Sequence, residues 1–271
     1  MKKSILLNAF IAVIFLSNLL TACSGDLYSV SDNLEVIMEK SFPTSEGKEL
    51  RVKGQSGDIV VTTWDKQEVY FKILGNEKAK DRFEFEFENN DSFVGLITDK
   101  KGSFSNWFGG ASLRIEVKVP KKYNANLHTS GGDIKLKDVE GEHQLKTSGG
   151  DIECNNFLGS LDASTSGGDI ELYGGNSEIT AHTSGGDIML DYIGVNKGID
   201  LSTSGGDITV KLPSDFNASM EISTSGGDVS CNLTINNATK LSERKLIADL
   251  NNGGEKFYAH TSGGDIDVRK K

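Results

Sequence analysis

From residue 124 to the carboxyl end, apolar and polar residues alternate in short bursts separated by glycine-rich turns. Two residues ahead of a recurring Thr stand Leu127, Leu145, Ala163, Ala181, Leu201, Ile222 and Ala259; four ahead stand Ala125, His143, Leu161, Ile179, Ile199, Met220 and Phe257. The positions between are polar, for example Asn126 and His128, Gln144 and Lys146, Asp162 and Ser164. A period of two with one apolar face predicts half-buried strands. After each strand Ser-Gly-Gly predicts a turn, because glycine reaches backbone angles closed to other residues. A second strand follows, with Ile134, Ile152, Ile170, Ile188, Ile208, Val229 and Ile266 inward, then Leu136, Cys154, Leu172, Leu190, Val210, Cys231 and Val268. Val139, Phe157 and Ile193 extend that inward set, and Gly141, Gly159 and Gly194 mark a second corner.

The turn phrase Thr-Ser-Gly-Gly-Asp occurs seven times, at intervals of 18, 18, 18, 20, 21 and 37 residues. The last interval is close to two periods, so it predicts a degenerate rung or an insertion. A unit of two short strands and two corners is about one coil of a β-helix, whose coils stack roughly 4.8 Å apart. The expected fold is therefore all-β: a single-stranded β-helix or β-solenoid with 18 to 21 residues per coil. A β-sandwich of stacked hairpins is the alternative. Counted along the chain, Cys154 and Cys231 lie four marked rungs apart, about 19 Å, which no disulfide spans. Both are expected to be buried free thiols.

Residues 34–123 are β-rich but irregular. Gln55-Ser56-Gly57-Asp58-Ile59 is a worn copy of the repeat, and Phe83-Glu84-Phe85-Glu86-Phe87-Glu88 and Leu113 to Val119 alternate strictly. The stretch between Asp58 and Asp133 reads either as degenerate coils or as a small antiparallel cap. Another phrase occurs twice: Val117-Lys118-Val119-Pro120 before Thr129, and Val210-Lys211-Leu212-Pro213 before Thr224. Phe104, Trp107 and Phe108 fall in a Gly-rich loop, Lys101 to Ala111, that has no strand pattern. They are a candidate partner contact, since binding energy concentrates in aromatic side chains; folding back as a cap on the solenoid end is the other reading.

The amino-terminal residues change the picture of where the chain works. Lys2 and Lys3 precede an apolar stretch from Ile5 to Leu20, and Leu20-Thr21-Ala22-Cys23 follows. The order is that of an export signal, and the last four residues resemble the lipobox of bacterial lipoproteins. Residues 1–22 are thus expected to be a lipoprotein signal peptide and 23–33 a tether lipidated (palmitate among the acyl chains) on Cys23, ahead of the irregular part (34–123) and the repeat solenoid (124–271). Acyl chains contribute about 0.8 kcal/mol per buried methylene, so several hold a protein on a membrane durably. The expected location is the outer membrane or surface of a bacterium. Removing residues 1–22 takes away two lysines and no acid, moving the formal charge from −10 to −12. So acidic a chain has no electrostatic footprint for nucleic acid.

Together the worn Ser56-Gly57-Asp58-Ile59-Val60-Val61 with Trp64, the Val-Pro phrase, and the closing Thr261-Ser262-Gly263-Gly264-Asp265-Ile266 resemble a known family. It is the bacterial putative-adhesin family of β-strand-repeat proteins, a domain of unknown function found in exported lipoproteins, here over about residues 40–271. The resemblance implies a β-helix-like fold and a role in adhesion or envelope maintenance. It implies no ligand and no catalytic residues.

The repeat also raises candidate chemistry. Asp133, Asp151, Asp169, Asp187, Asp207, Asp228 and Asp265 should form a column whose carboxylates repel across about 4.8 Å. Two readings offset that repulsion: hydrogen bonds from turn amides, or Ca²⁺ between rungs as in a calcium-stabilised β-roll. The β-roll motif carries a third Gly that is missing here. No other cofactor is expected. The Thr column predicts hydroxyls stacked and hydrogen-bonded along the solenoid. His128, His182 and His260 share the outward position before Thr; the first two, three rungs or about 14 Å apart, are too far for a shared metal. A β-helix lyase or hydrolase breaks its repeat to gather unlike residues, whereas here each Asp has the same neighbours. The expectation is a non-enzymatic adhesin or display scaffold for an unidentified protein or glycan partner, with an envelope glycan-binding or glycan-cleaving β-helix as the alternative.

Overall fold

Alternation this regular places every second side chain on one face of a strand, and the structure, a computed structural model, closes two such faces on each other. It describes residues 34–101 and 110–271, all within one unit, Asp32–Lys271.

The chain before the repeats forms β1 (Glu35–Pro43), β2 (Glu49–Gly54), β3 (Asp58–Trp64), β4 (Glu68–Gly75), helix α1 (Glu77–Arg82), β5 (Phe83–Asn89), β6 (Phe93–Lys100) and β7 (Leu113–Pro120). The repeats form strand pairs: β8 (Asn124–His128) with β9 (Ile134–Lys137), β10 (Glu140–Lys146) with β11 (Ile152–Asn155), β12 (Leu158–Ser164) with β13 (Ile170–Gly175), β14 (Glu178–His182) with β15 (Ile188–Ile193), and β16 (Ile199–Thr203) with β17 (Ile208–Leu212). Then come β18 (Ala218–Thr224), β19 (Val229–Cys231), β20 (Ile235–Ser242), β21 (Lys245–Leu250), β22 (Lys256–Thr261) and β23 (Ile266–Lys270).

One sheet of 11 strands runs β1-β4-β7-β3-β9-β11-β13-β15-β17-β23-β19, and a second of 12 runs β5-β6-β2-β8-β10-β12-β14-β16-β22-β18-β21-β20. Each Thr-Ser-Gly-Gly-Asp turn carries the chain from the second sheet to the first, so one turn plus its two strands is a rung. Within the regular run the rungs are parallel and in register: Ile152 pairs with Ile134 and Ile170, and Leu145 with Leu127 and Ala163. This is a two-sheet β-solenoid. Its core is the two inward columns, with Ile134, Leu136, Ile152, Ile170 and Leu190 fully buried against Leu127, Leu145 and Leu201.

At both ends the rungs stand out of chain order. The β2–β3 rung lies between the β6–β7 rung and the β8–β9 rung, so Ile59 pairs with both Ile115 and Ile134. The residues between Asp58 and Asp133 therefore contain one further rung, β6–β7, with β4 and β5 added in antiparallel pairing, and β1, from ahead of them, pairs antiparallel with β4. At the other end β18 steps past an empty place, β20 and β21 pair antiparallel beyond it, and β22–β23 returns to fill the place between β16–β17 and β18–β19. The 37-residue interval is this insertion.

Three expectations about packing change. Cys154 and Cys231 stand five rungs apart, not four, because β23 lies between β17 and β19; both are free. Cys154 is buried, but Cys231 is only half-buried because β19 is the edge of its sheet. Ile193 points outward, 52% exposed; the longer rung shifts its parity by one, and Tyr192 fills the inward place with its hydroxyl donating to the Val195 carbonyl at 2.8 Å.

Candidate functional site

The seven turns make a continuous column along one side of the solenoid, and its chemistry can be followed residue by residue. Each Thr side chain faces inward and is at most 6% exposed. Its hydroxyl donates to a glycine carbonyl of the adjacent rung: Thr147 Oγ1 to Gly132 O at 2.8 Å, Thr165 to Gly150 and Thr183 to Gly168 at 2.9 Å. It also accepts from its own turn, as Gly186 N–H donates to Thr183 Oγ1 at 3.3 Å. The hydroxyls therefore do not bond one another, as the sequence pattern suggested; each joins two turns through backbone groups.

The Asp residues form a ladder of a different kind. Asp151 N–H donates to Asp133 Oδ1 at 2.9 Å, Asp169 to Asp151 at 2.8 Å, Asp187 to Asp169 at 2.7 Å and Asp207 to Asp187 at 2.8 Å. The ladder starts at the worn copy, where Asp133 N–H donates to Asp58 Oδ1 at 3.1 Å. It crosses the inserted rung without interruption: Asp265 N–H donates to Asp207 and Asp228 N–H to Asp265, both at 2.8 Å. An amide aimed at every carboxylate of the column but the terminal Asp228 offsets the repulsion along it. One oxygen of each accepting Asp is used this way. Among the described residues no three His, Cys, Asp or Glu side chains gather closely enough to hold a metal ion.

Glycine enters the turn for a reason other than backbone angle. None of the paired glycines has a left-handed φ. A Cβ on the second of each pair, Gly150, Gly168, Gly186 or Gly206, would lie closer than 3.0 Å to the carbonyl oxygen of the equivalent glycine one rung away. The second corner does use the left-handed region, at Gly159 (φ 109°) and Gly194 (φ 86°), and at Asp138 and Asn156. Asn156 Nδ2 donates to Asp138 Oδ1 at 2.7 Å, so that corner has a side-chain rung of its own.

His128 and His182 lie three rungs apart as expected, but His260 belongs to the same run. The inserted strand places it two rungs beyond His182, with Ser202 between. His182 Nδ1 shares a hydrogen with Ser202 Oγ at 2.8 Å, and His260 Nδ1 lies 3.1 Å from Ser223 Oγ. The sequence reading passed over His143, the polar member of an inward column of Ala, Leu, Ile, Met and Phe. It is 3% exposed, and neither ring nitrogen has a hydrogen-bond partner of normal geometry. Burial lowers its pKa to about 4, against a weaker opposing pull from the Val139 and Leu158 carbonyls. Burial likewise raises the Cys154 thiol above its ordinary value, which removes it as a nucleophile.

Cys23 and the aromatic residues Phe104, Trp107 and Phe108 lie outside the described residues. No helix among the described residues is long and apolar enough to cross a membrane.

Two facing sheets of in-register parallel rungs, bonded through a Thr-Ser-Gly-Gly-Asp column and carrying an inserted rung near each end, define a two-sheet β-solenoid of the toastrack class. The chain belongs to the Toastrack DUF4097 family, whose model matches residues 28–269. No curated protein matches it. Among solved structures it is similar to a putative adhesin from Bacteroides fragilis (13% identity over 88% of this chain and 98% of that one, TM-score 0.42). It is also similar to a putative cell adhesion protein from Clostridium sporogenes (14% identity, 86% and 99%, TM-score 0.40). A third is a putative lipid binding protein from Parabacteroides distasonis (14% identity, 89% and 98%, TM-score 0.33).

Proposed function

We propose that this chain is a lipid-anchored, non-enzymatic protein of the bacterial cell envelope that presents a rigid solenoid for adhesion or protein contact. The observation that carries this reading is Leu20-Thr21-Ala22-Cys23 after a basic and then apolar leader, the arrangement that directs export and acylation of the Cys. The solenoid supports the non-enzymatic part. A catalytic carboxylate needs an environment unlike its neighbours', whereas Asp151, Asp169, Asp187 and Asp207 each accept from the next Asp amide at 2.7–2.8 Å. Cys23→Ala should move the protein from the membrane to the soluble fraction and abolish its labelling by a palmitate analogue. Undiminished labelling of that variant would overturn the proposal.

A further inference from the structure

Two sheets have four edges, and natural edge strands carry features that discourage pairing with other chains. Three edges here have them. β1 has a register shift between Val36 and Met38, then Lys40 and Pro43. β20 has a register shift between Asn236 and Lys240, and β19 is only three residues long. β5 has no register shift, Pro or Lys and carries only a row of glutamates: its seven residues pair in unbroken register, among the described residues with β6 alone, from Phe83 opposite Lys100 to Asn89 opposite Val94.

The neighbourhood of β5 is incomplete. Beyond the β2–β3 rung the first sheet adds β7, β4 and β1, whereas the second adds β6 and β5, so among the described residues β1 has no strand opposite it. A groove of about 530 Å³ lies along this edge, lined by Ile37 and Met38 of β1 and by Phe83, Glu84, Phe85 and Glu86 of β5. Phe85 and Phe87 remain only partly buried against the core. Glu84, Glu86 and Glu88 are exposed on the outer face and make no ion pair or side-chain hydrogen bond among the described residues. The two lysines at the groove are engaged elsewhere: Lys80 lies 3.8 Å from Glu35, and Lys101 Nζ donates to the Lys80 carbonyl at 3.4 Å.

We infer that the free edge of β5 is a strand-addition site for an extended partner segment in which apolar residues alternate with Lys or Arg. Backbone pairing with β5 would supply the ladder, and the period of two would send one set of partner side chains to Ile37, Phe83 and Phe85 and the other to the glutamates. Charge complementarity selects the basic set. The same row of glutamates excludes a second copy as partner: antiparallel self-pairing about Glu86 sets Glu84 against Glu88, and like charges opposite one another are destabilising.

The test uses the full-length protein in detergent and fluorescent heptapeptides followed by anisotropy, and it reads the same whether or not Cys23 carries lipid. A Val/Lys alternating peptide should bind at least tenfold more tightly than a block peptide of the same composition or a Val/Glu alternating peptide. N-methylation of its backbone should abolish the gain. The double variant Glu84→Lys, Glu86→Lys, altered only at exposed positions, should reverse the preference toward the Val/Glu peptide. Equal binding of alternating and block peptides, indifference to N-methylation, or an unchanged preference in the double variant would overturn the assignment. Binding that emerges only after deletion of residues 24–33 would give the edge to the chain's own tether, and also overturn it.

Discussion

The two glycines of each turn meet different neighbours. At Gly167 a Cβ would have 3.7 Å to the nearest atom, while at Gly168 it would collide with the Gly150 carbonyl. Gly168→Ala should therefore destabilise the protein by about 1–3 kcal/mol, the usual range of overpacking that backbone must absorb. Gly167→Ala should change stability by less than about 0.5 kcal/mol, as at an open surface position. Urea unfolding of both variants checks the contrast. His143 makes the second residue-scale prediction. Its folded pKa of about 4 lies below the ordinary 6.5, so the unfolded chain takes up the proton first. Stability should fall as pH drops from about 6.5 to about 4 and level off below that, by roughly 3 kcal/mol at 1.36 kcal/mol per pKa unit. His143→Leu, the residue at the same position one rung away, should flatten that slope in chemical denaturation across the window. Side-chain direction was legible wherever the period is 18, as Ile152, Cys154 and Phe157 show. It failed at Ile193, where a longer rung shifts parity, and at His143, whose polar character pattern reading tolerated among Leu161 and Ile179.

Strands and turns show what the repeated phrases are for. The Asp column is already satisfied by amides running from Asp58 to Asp228. Saturating calcium or a chelator should accordingly shift the melting temperature by no more than about two degrees; a rise of ten degrees or more would mean tight binding to the folded state. Asp169→Ala removes the acceptor of the Asp187 amide and should cost about 1 kcal/mol, whereas Asp169→Asn, which keeps an acceptor, should cost less. The Val-Lys-Val-Pro and Val-Lys-Leu-Pro phrases gain a meaning that sequence alone did not supply. After β7 the chain steps over the β2–β3 rung to reach β8, and after β17 it steps over the β22–β23 rung to reach β18. In each case Pro ends or follows the strand, and a buried aromatic, Tyr123 or Phe216, fills the corner where the chain crosses. The phrase marks a two-rung step. Its recurrence was visible in the sequence; its purpose was not, because pairing across 55 or more residues leaves no local signal.

The whole molecule is a stack of rungs laid down out of order at both ends. Solenoids made by simple addition gain and lose stability rung by rung. Here the last rung in chain order, β22–β23, lies between two others, pairing with β16 and β18 in one sheet and with β17 and β19 in the other. A chain ending at residue 252 should lose far more than one rung's share of stability, because β18 and β19 are left without their parallel neighbours. Its thermal transition should broaden or divide, and added peptide 253–271 should restore the single transition in circular dichroism. Fold class, period and core were legible here because seven near-identical copies repeat one pattern. Strand order was not, because identical turns pair equally well with any neighbouring copy, and only the distance between phrases hinted at the insertion.

That order also decides how the protein bears a load. Tension applied at the carboxyl end acts first on β23, a strand bonded on both edges, so two ladders must shear together before any length is released. Tension at the amino end strips β1, which among the described residues is bonded on one edge only, and then meets β2, held between β6 and β8. A coil wound in simple order would fray from its last turn like thread from a spool; this one is caught near both ends by a strand laid between two others.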